Sequence, residues 1–527
     1  MQEEEENIMK ACTRLSEMLR ENPQFIQNLM TSHAVVPIME LLEFPNADVI
    51  ISLLKLISEV IGDVKDPSNT NGQKFQQSMS LVGLIPAIVK YASPDFSPRI
   101  RLEAVRLMRS FCFASDFTRR MYIACGGLPV LVTCLQMKYE ENRLLIFDAL
   151  DCIRQVFSIS TNPKNDFCRL FCKYGLLYPL ANTLTHLNND KEVPVDATPS
   201  ASQYLPKCAD AIFQFSLGDG VVKSALAEER VSREIFKTLP HLQGDSLLSI
   251  MKSITNISMD PNTLDSLENA GALAVLVPFM DPQHPDSIQN HALQSTYYLT
   301  IIKASRQEQA VAAGVIPHLQ RFIRNGHPLK QFAMPSLFQL AKTSKRTRTE
   351  LRKHDGITFF LNLLEEPFWK SHALDALSFW LNDSEDAKRV EFITINHIGK
   401  LVSVIKNTRS EQFDKILGPM EKILQSSQAI NRALGVSSIF TEELIHRLQL
   451  HANNNAIRVN LLKILTLIYD CHVKQDEFVS RHQLTPLLEK LAADKNAVVV
   501  ANLAQTLLTD IRTKEATTNG VKADGPM

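Results

Sequence analysis

The chain has 527 residues, of which 45% are hydrophobic and 21% charged, with a formal net charge of −1. That length and apolar share can bury a large core, and the neutral balance gives the chain as a whole no electrostatic reason to bind nucleic acid or a membrane surface. Glycine is sparse, at 18 residues, and short Val/Thr/Tyr-rich runs between turn residues are scarce, which predicts an all-α fold.

The opening MQEEEENIMK is acidic and carries no signal-peptide stretch. No run of about 18 apolar residues follows anywhere, so no membrane insertion is expected. Most of the nine cysteines lie inside apolar helical runs, as Cys134 and Cys152 do. There is no C-x-x-C pair, and Cys168/Cys172 has no histidine at zinc-ligand spacing. This reads as reduced core thiols of a cytoplasmic or nuclear protein with no metal site.

The organising signal is a corner, a helix end running into glycine and then a proline that opens the next helix. Met121–Leu135 (MYIACGGLPVLVTCL) shows it with Gly126, Gly127 and Pro129. Aligned on the proline slot, the corners fall at Pro37, Pro86, Pro129, Tyr178, Ala274, Pro317, Phe359, Lys400 and Pro486. Their spacing is 41 to 49 residues apart from two double steps, which hold degenerate corners near Arg233 and Thr441. A period of roughly 40–47 residues with helical content predicts armadillo or HEAT units. The G-x-x-P corner favours armadillo, as a right-handed superhelical solenoid of about eleven repeats over residues 1–513.

Each unit carries a longer amphipathic helix after its corner. In Arg99–Phe113, Ile100, Ala104, Leu107, Met108 and Phe111 form one stripe. Equivalent helices are predicted at Val49–Ile61, Leu144–Phe157, Ser246–Ile257, Ile288–Ile301, Phe332–Ala341, Ala373–Leu381, Ile416–Leu424 and Ile457–Ile468. No unit can bury its stripe alone, so neighbours must stack. Gly62–Ser78 and Leu187–Ser202 read as polar insertions, and Lys514–Met527 as a disordered tail.

Catalytic motifs are missing. The chain has no phosphate loop, no G-x-G-x-x-G, no H-E-x-x-H and no G-x-S-x-G. Its scattered histidines (His33, His318, His354, His397) have no paired nucleophile, so no catalytic residue and no cofactor is assigned.

Ala34–Ile57, Leu81–Val89, Met121–Val132, Asn165–Leu170 (NDFCRL) and Ile457–His472 (IRVNLLKILTLIYDCH) together resemble the armadillo-type region behind the catalytic domain of septation-initiation and mitotic-exit protein kinases. Plant epsilon-type MAP kinase kinase kinases carry a similar region. The resemblance spans about residues 8 to 512. Those kinases have a catalytic domain ahead of it, whereas this sequence has no Gly-rich loop, VAIK-type lysine, HRD or DFG. It is thus a fragment of such a kinase or a stand-alone relative. The resemblance implies a docking region in cytokinesis signalling. Its partner would be a small Ras-like GTPase or a spindle-pole scaffold protein, and its place the spindle pole or division site. It leaves the oligomeric state open.

In an armadillo superhelix the long helices line a groove for extended peptides. Pairs four residues apart share a helix face, which places Arg106/Ser110, Asp151/Gln155, Lys252/Asn256, Gln294/Tyr298 and Asp375/Phe379 there. The plainer reading of any one is a solvated polar position. Nuclear import adaptors of this fold repeat Trp and Asn at these slots; only Asn256 fits, with Lys252 where Trp would be, so a transport adaptor is disfavoured. Lys342–Lys353 (KTSKRTRTELRK) is a basic patch of Lys342, Lys345, Arg346, Arg348, Arg352 and Lys353. It suits an acidic or phosphorylated segment or a nuclear signal, or is a solvated inter-helix loop. Phe368, Trp369, Phe379 and Trp380 form an aromatic cluster read mainly as core.

Overall fold

The computed structural model describes residues 2–22, 24–31, 35–63, 66, 68–157, 164–190, 199–326, 328–381, 395–452 and 454–523. Among the described residues every regular element is a helix. Two compact units are present, Met1–Leu299 and Thr300–Met527.

In the first unit the long helices Gln2–Glu21, Ala47–Ile61, Pro98–Cys112, Tyr139–Val156, Ala201–Ser216 and Gly244–Ser258 each pack on the next in series. Two shorter helices precede each of the later ones. The second unit repeats the pattern with Lys330–Thr343, Lys370–Leu381, Phe413–Ser426, Asn455–Cys471 and Val498–Ala523. The cause is local. Ser97 caps Pro98–Cys112 by accepting from the Ile100 N–H, and Pro98 takes the first turn, where no N–H is needed. The buried Ile100, Ala104, Leu107, Met108 and Phe111 then form one stripe. Burying each large apolar side chain there stabilises by roughly 1.5–3 kcal/mol.

Seven of the nine aligned corners share a geometry, a left-handed residue just ahead of the helix. Lys400 instead lies inside helix Ile395–Asn407, so that expected corner is not one, and residues 32–34 ahead of Pro37 lie outside the described residues. At Gly126 the backbone is left-handed (φ +86°), and helix Gly127–Leu135 begins immediately after it. Pro129 occupies the first turn of that helix, where N–H groups have no intrahelical partner. Gly127 has its own constraint, since a Cβ there would lie 2.2 Å from the Tyr122 ring. The Tyr122 hydroxyl donates to the Gly127 carbonyl at 2.9 Å. Two corners use non-glycine residues in the same conformation, Asp355 (φ +52°) and Gln483 (φ +48°). The degenerate corners lack it, because Glu228 and Ser437, ahead of their helices, have negative φ.

Three segments differ from expectation. Much of Gly62–Ser78 is helical: Thr70–Val82 is capped by Asn69 and buries Phe75, Gln76 and Met79. It is the first short helix of its triplet, hidden by polar composition. Helices Leu177–Asn189 and Ala201–Ser216 cover both ends of Leu187–Ser202, whose 191–198 lie outside the described residues. The last helix runs to Ala523, so Lys514 is not in a disordered tail. Its ammonium pairs with Asp470 at 3.6 Å and lies over the Tyr469 ring, while 524–527 lie outside the described residues.

Candidate functional site

The first eight groove positions lie on four long helices, Pro98–Cys112, Tyr139–Val156, Gly244–Ser258 and Asp286–Thr300, but in different surroundings. Arg106 is exposed, with Glu103 3.1 Å away on the same helix. Ser110 donates back to the Leu107 carbonyl at 2.7 Å. Both line a depression with Arg109, Phe113, Asp148 and Ser58 of the preceding long helix. Gln155 is half-buried.

Asp151 is not a solvated position. It is 4% exposed, and its carboxylate receives the Arg109 guanidinium at 3.1 Å, the Lys207 ammonium at 2.7 Å and the Tyr204 hydroxyl at 3.0 Å. One carboxylate thus joins three consecutive long helices. Tyr204 also stacks on Phe147 with ring centroids 4.3 Å apart. Burial, then the Asp151 charge, holds its phenol well above the usual value.

Asp148, one turn earlier, has the weaker share of Arg109, at 3.6 Å. Burial pushes its carboxyl up to about 6, against the pull of Arg109 and Arg106 and with help from the Asp151 charge. Desolvation wins because Arg109 is committed mainly to Asp151.

Farther along, the Lys252 ammonium lies 6.0 Å from the Phe213 ring centroid. The Asn256 amide donates to the Ser216 hydroxyl of the neighbouring long helix at 3.0 Å. Gln294 and Tyr298 are half-buried, and Tyr298 packs edge-on against Tyr297.

In the second unit Asp375 pairs with Lys342 of the adjacent long helix. Phe379, 45% exposed, has the Lys342 and Lys422 ammonium groups 5.4 and 5.5 Å from its centroid. The basic stretch after Lys342 is not a loop. Lys345–Lys353 is a helix started by a capping box in which Ser344 and Thr347 bond each other's backbone N–H. Its cations are dispersed. Lys353 pairs with Glu350 at 2.8 Å, Arg348 reaches the Ala341 carbonyl, Arg352 is half-buried, and Lys345 and Arg346 are exposed. The aromatic cluster divides likewise, with Trp380 buried in the core and Phe368 69% exposed.

The residues that sequence reading missed are Arg109, Asp148, Tyr204 and Lys207. Part of their signal was present. Arg106/Arg109 and Asp148/Asp151 are pairs of opposite sign, three residues apart, at nearly the same distance past Pro86 and Pro129. Among the described residues no His/Cys/Asp/Glu group is placed to hold a metal ion, and no helix is long and apolar enough to cross a membrane.

No family model matches the chain. Among curated proteins it is 31% identical to cytokinesis protein sepH of Aspergillus niger over 92% of this chain and 36% of that one. It is 26% identical to MAP3K epsilon protein kinase 1 of Brassica napus, covering 96% of this chain and 54% of the other. To cell division control protein 7 of Schizosaccharomyces pombe the identity is 23%, covering 97% and 47%. A solved engineered protein shares the fold at a TM-score of 0.50 and 16% identity, over 81% of this chain and 98% of that one. The chain therefore spans between about a third and a little over half the length of the curated relatives it matches. Over most of its own length it is a homologue of part of the sepH, MAP3K epsilon and cell division control protein 7 proteins.

Proposed function

We infer that the chain is a non-catalytic, armadillo-type protein–protein interaction scaffold acting in septation, and that it binds its partner along the long-helix face. The observation that carries this reading is the alignment of nearly the whole chain with only part of a cytokinesis protein. A region matched apart from the rest of its relatives suits docking. Arg106 and Ser110 beside Asp148, together with Lys252, supply a polar surface with hydrogen-bonding groups of both kinds. The partner is a small Ras-like GTPase or a spindle-pole scaffold protein, and the place of action the spindle pole or division site.

The test is a pull-down from dividing-cell extract with the purified chain beside Arg106→Glu/Lys252→Glu, both checked for helical circular dichroism. A division-related GTPase or scaffold captured by wild type and lost by the folded variant supports both function and face. Equal capture by both moves the site to the Lys345–Lys353 helix, and capture of nothing related to division removes the septation reading.

A second reading is that the chain is the C-terminal part of a serine/threonine protein kinase. It is favoured by the 54% coverage of a relative named as a protein kinase. An upstream reading frame encoding VAIK, HRD and DFG motifs would decide for it. Transport-adaptor function is disfavoured further, because the one matching asparagine, Asn256, spends its amide on Ser216.

A further inference from the structure

A small cleft in the second unit opens beside the start of a long helix. It is lined by Leu364, Glu365, Lys370, Lys400, Ser403 and Asn407. It is formed by helix Gly356–Leu363 with the turn after it, the start of Lys370–Leu381 and helix Ile395–Asn407. Lys370 is half-buried, and its ammonium reaches the Thr408 hydroxyl at 3.4 Å. That hydroxyl is itself spent on the Val404 carbonyl. Lys400 is held between the Asn362 side-chain oxygen at 2.8 Å and Glu365 at 2.6 Å. Among the described residues, two ammonium groups therefore share one cleft with a single carboxylate. That carboxylate belongs to a side chain 69% exposed, whereas the lysine it holds is 25% exposed.

A half-buried ammonium with only a long hydroxyl contact among the described residues is an incomplete arrangement, since a desolvated charge is stabilised only by a counter-charge with hydrogen bonds. Burial accordingly holds Lys370 below the usual lysine value. We propose that this cleft binds a phosphate group, with Lys370 and Lys400 as its charge partners and Ser403 and Asn407 as further donors. Glu365, on the rim, is the group that the phosphate displaces from Lys400. The phosphate can be free or carried on a serine side chain, and the proposal does not rest on the scaffold reading.

The full chain is titrated calorimetrically with inorganic phosphate, with a phosphoserine peptide of otherwise neutral sequence, and with the same peptide unphosphorylated. Lys370→Met, Lys400→Met and Glu365→Gln are measured beside wild type, with circular dichroism as the folding check. Wild type should bind at least one phosphate-bearing probe and not the unphosphorylated peptide. Each lysine variant should bind at least about tenfold more weakly, as loss of a charged hydrogen-bond partner implies. Glu365→Gln should bind more tightly, because a competing anion is gone. Tighter binding of the peptide identifies a phosphoserine site, and tighter binding of the free ion a phosphate site. The proposal is overturned if wild type binds neither probe, or if folded lysine variants bind as wild type does. Should Lys370→Met not fold, the opposite signs required of Lys400→Met and Glu365→Gln still decide it.

Discussion

Replacing Asp148 by asparagine keeps the shape of the side chain and removes its titration. The carboxyl lies at about 6 rather than 3.8 because burial outweighs its share of Arg109. Between those values the folded chain holds a proton that the unfolded chain has released, so this group lowers stability as pH rises from about 4 to about 6. At 1.36 kcal/mol per pH unit, the cost of the charged form at neutral pH is roughly 3 kcal/mol, to order of magnitude. Asp148→Asn should therefore match wild type near pH 4 and exceed it by up to that amount at pH 7. The assay is urea unfolding at a series of pH values, followed by far-ultraviolet circular dichroism, since both tryptophans, Trp369 and Trp380, lie in the second unit. The variant's advantage should open through the pH 4–6 window. If Asp148→Asn is instead less stable than wild type at pH 7, the carboxylate is charged and stabilising, and the dominance of burial over Arg109 is refuted.

Further substitutions test the corners and the core. Gln483→Gly should raise the urea midpoint of the second unit by the equivalent of about 1 kcal/mol, because a left-handed residue with a Cβ is strained. Asp355→Gly should gain less, as aspartate tolerates that conformation better. Gly127→Ala should lower the stability of the first unit by about 1–3 kcal/mol, since overpacking forces the buried Tyr122 ring to move. Tyr122→Phe should cost only about 1 kcal/mol, the worth of its bond to the Gly127 carbonyl. Leu131→Ala should cost roughly 2–5 kcal/mol, as Leu131 is fully buried; any loss of partner capture by this variant is a stability effect unless the remaining fold is shown intact.

The long helices were legible because their cores are apolar and periodic. Ile457–Ile468 lies inside Asn455–Cys471, and Ser246–Ile257 inside Gly244–Ser258. The corners were legible because glycine and proline mark backbone geometry directly. Helices Thr70–Val82 and Lys345–Lys353 escaped because each buries few side chains and is otherwise polar, so composition outweighed a weak apolar stripe. The site was legible as positions on helices and not as environments. Asp151 reads as a solvated acid from its own helix, and only its contacts with Arg109, Tyr204 and Lys207 show where its charge goes. Such contacts depend on which faces of neighbouring helices meet, which a one-helix period does not encode.

The ion pairs between consecutive long helices have a consequence for assembly. Apolar stripes built from leucine and isoleucine are nearly interchangeable, so a helix could dock on the wrong neighbour, or one turn out of place, at little energetic loss. Arg109 with Asp148 and Asp151, Lys207 with Asp151, and Arg154 with Asp210 mark the seams of the first unit. Lys342 with Asp375, Lys463 with Glu421, and Lys514 with Asp470 mark those of the second. Each of these seams sets charges of opposite sign against one another, so a skipped or slipped helix strands a half-desolvated charge or meets one of like sign. The pairs add little to the cohesion that hydrophobic burial already supplies; their part is to label each helix for one neighbour and one register, as an address does.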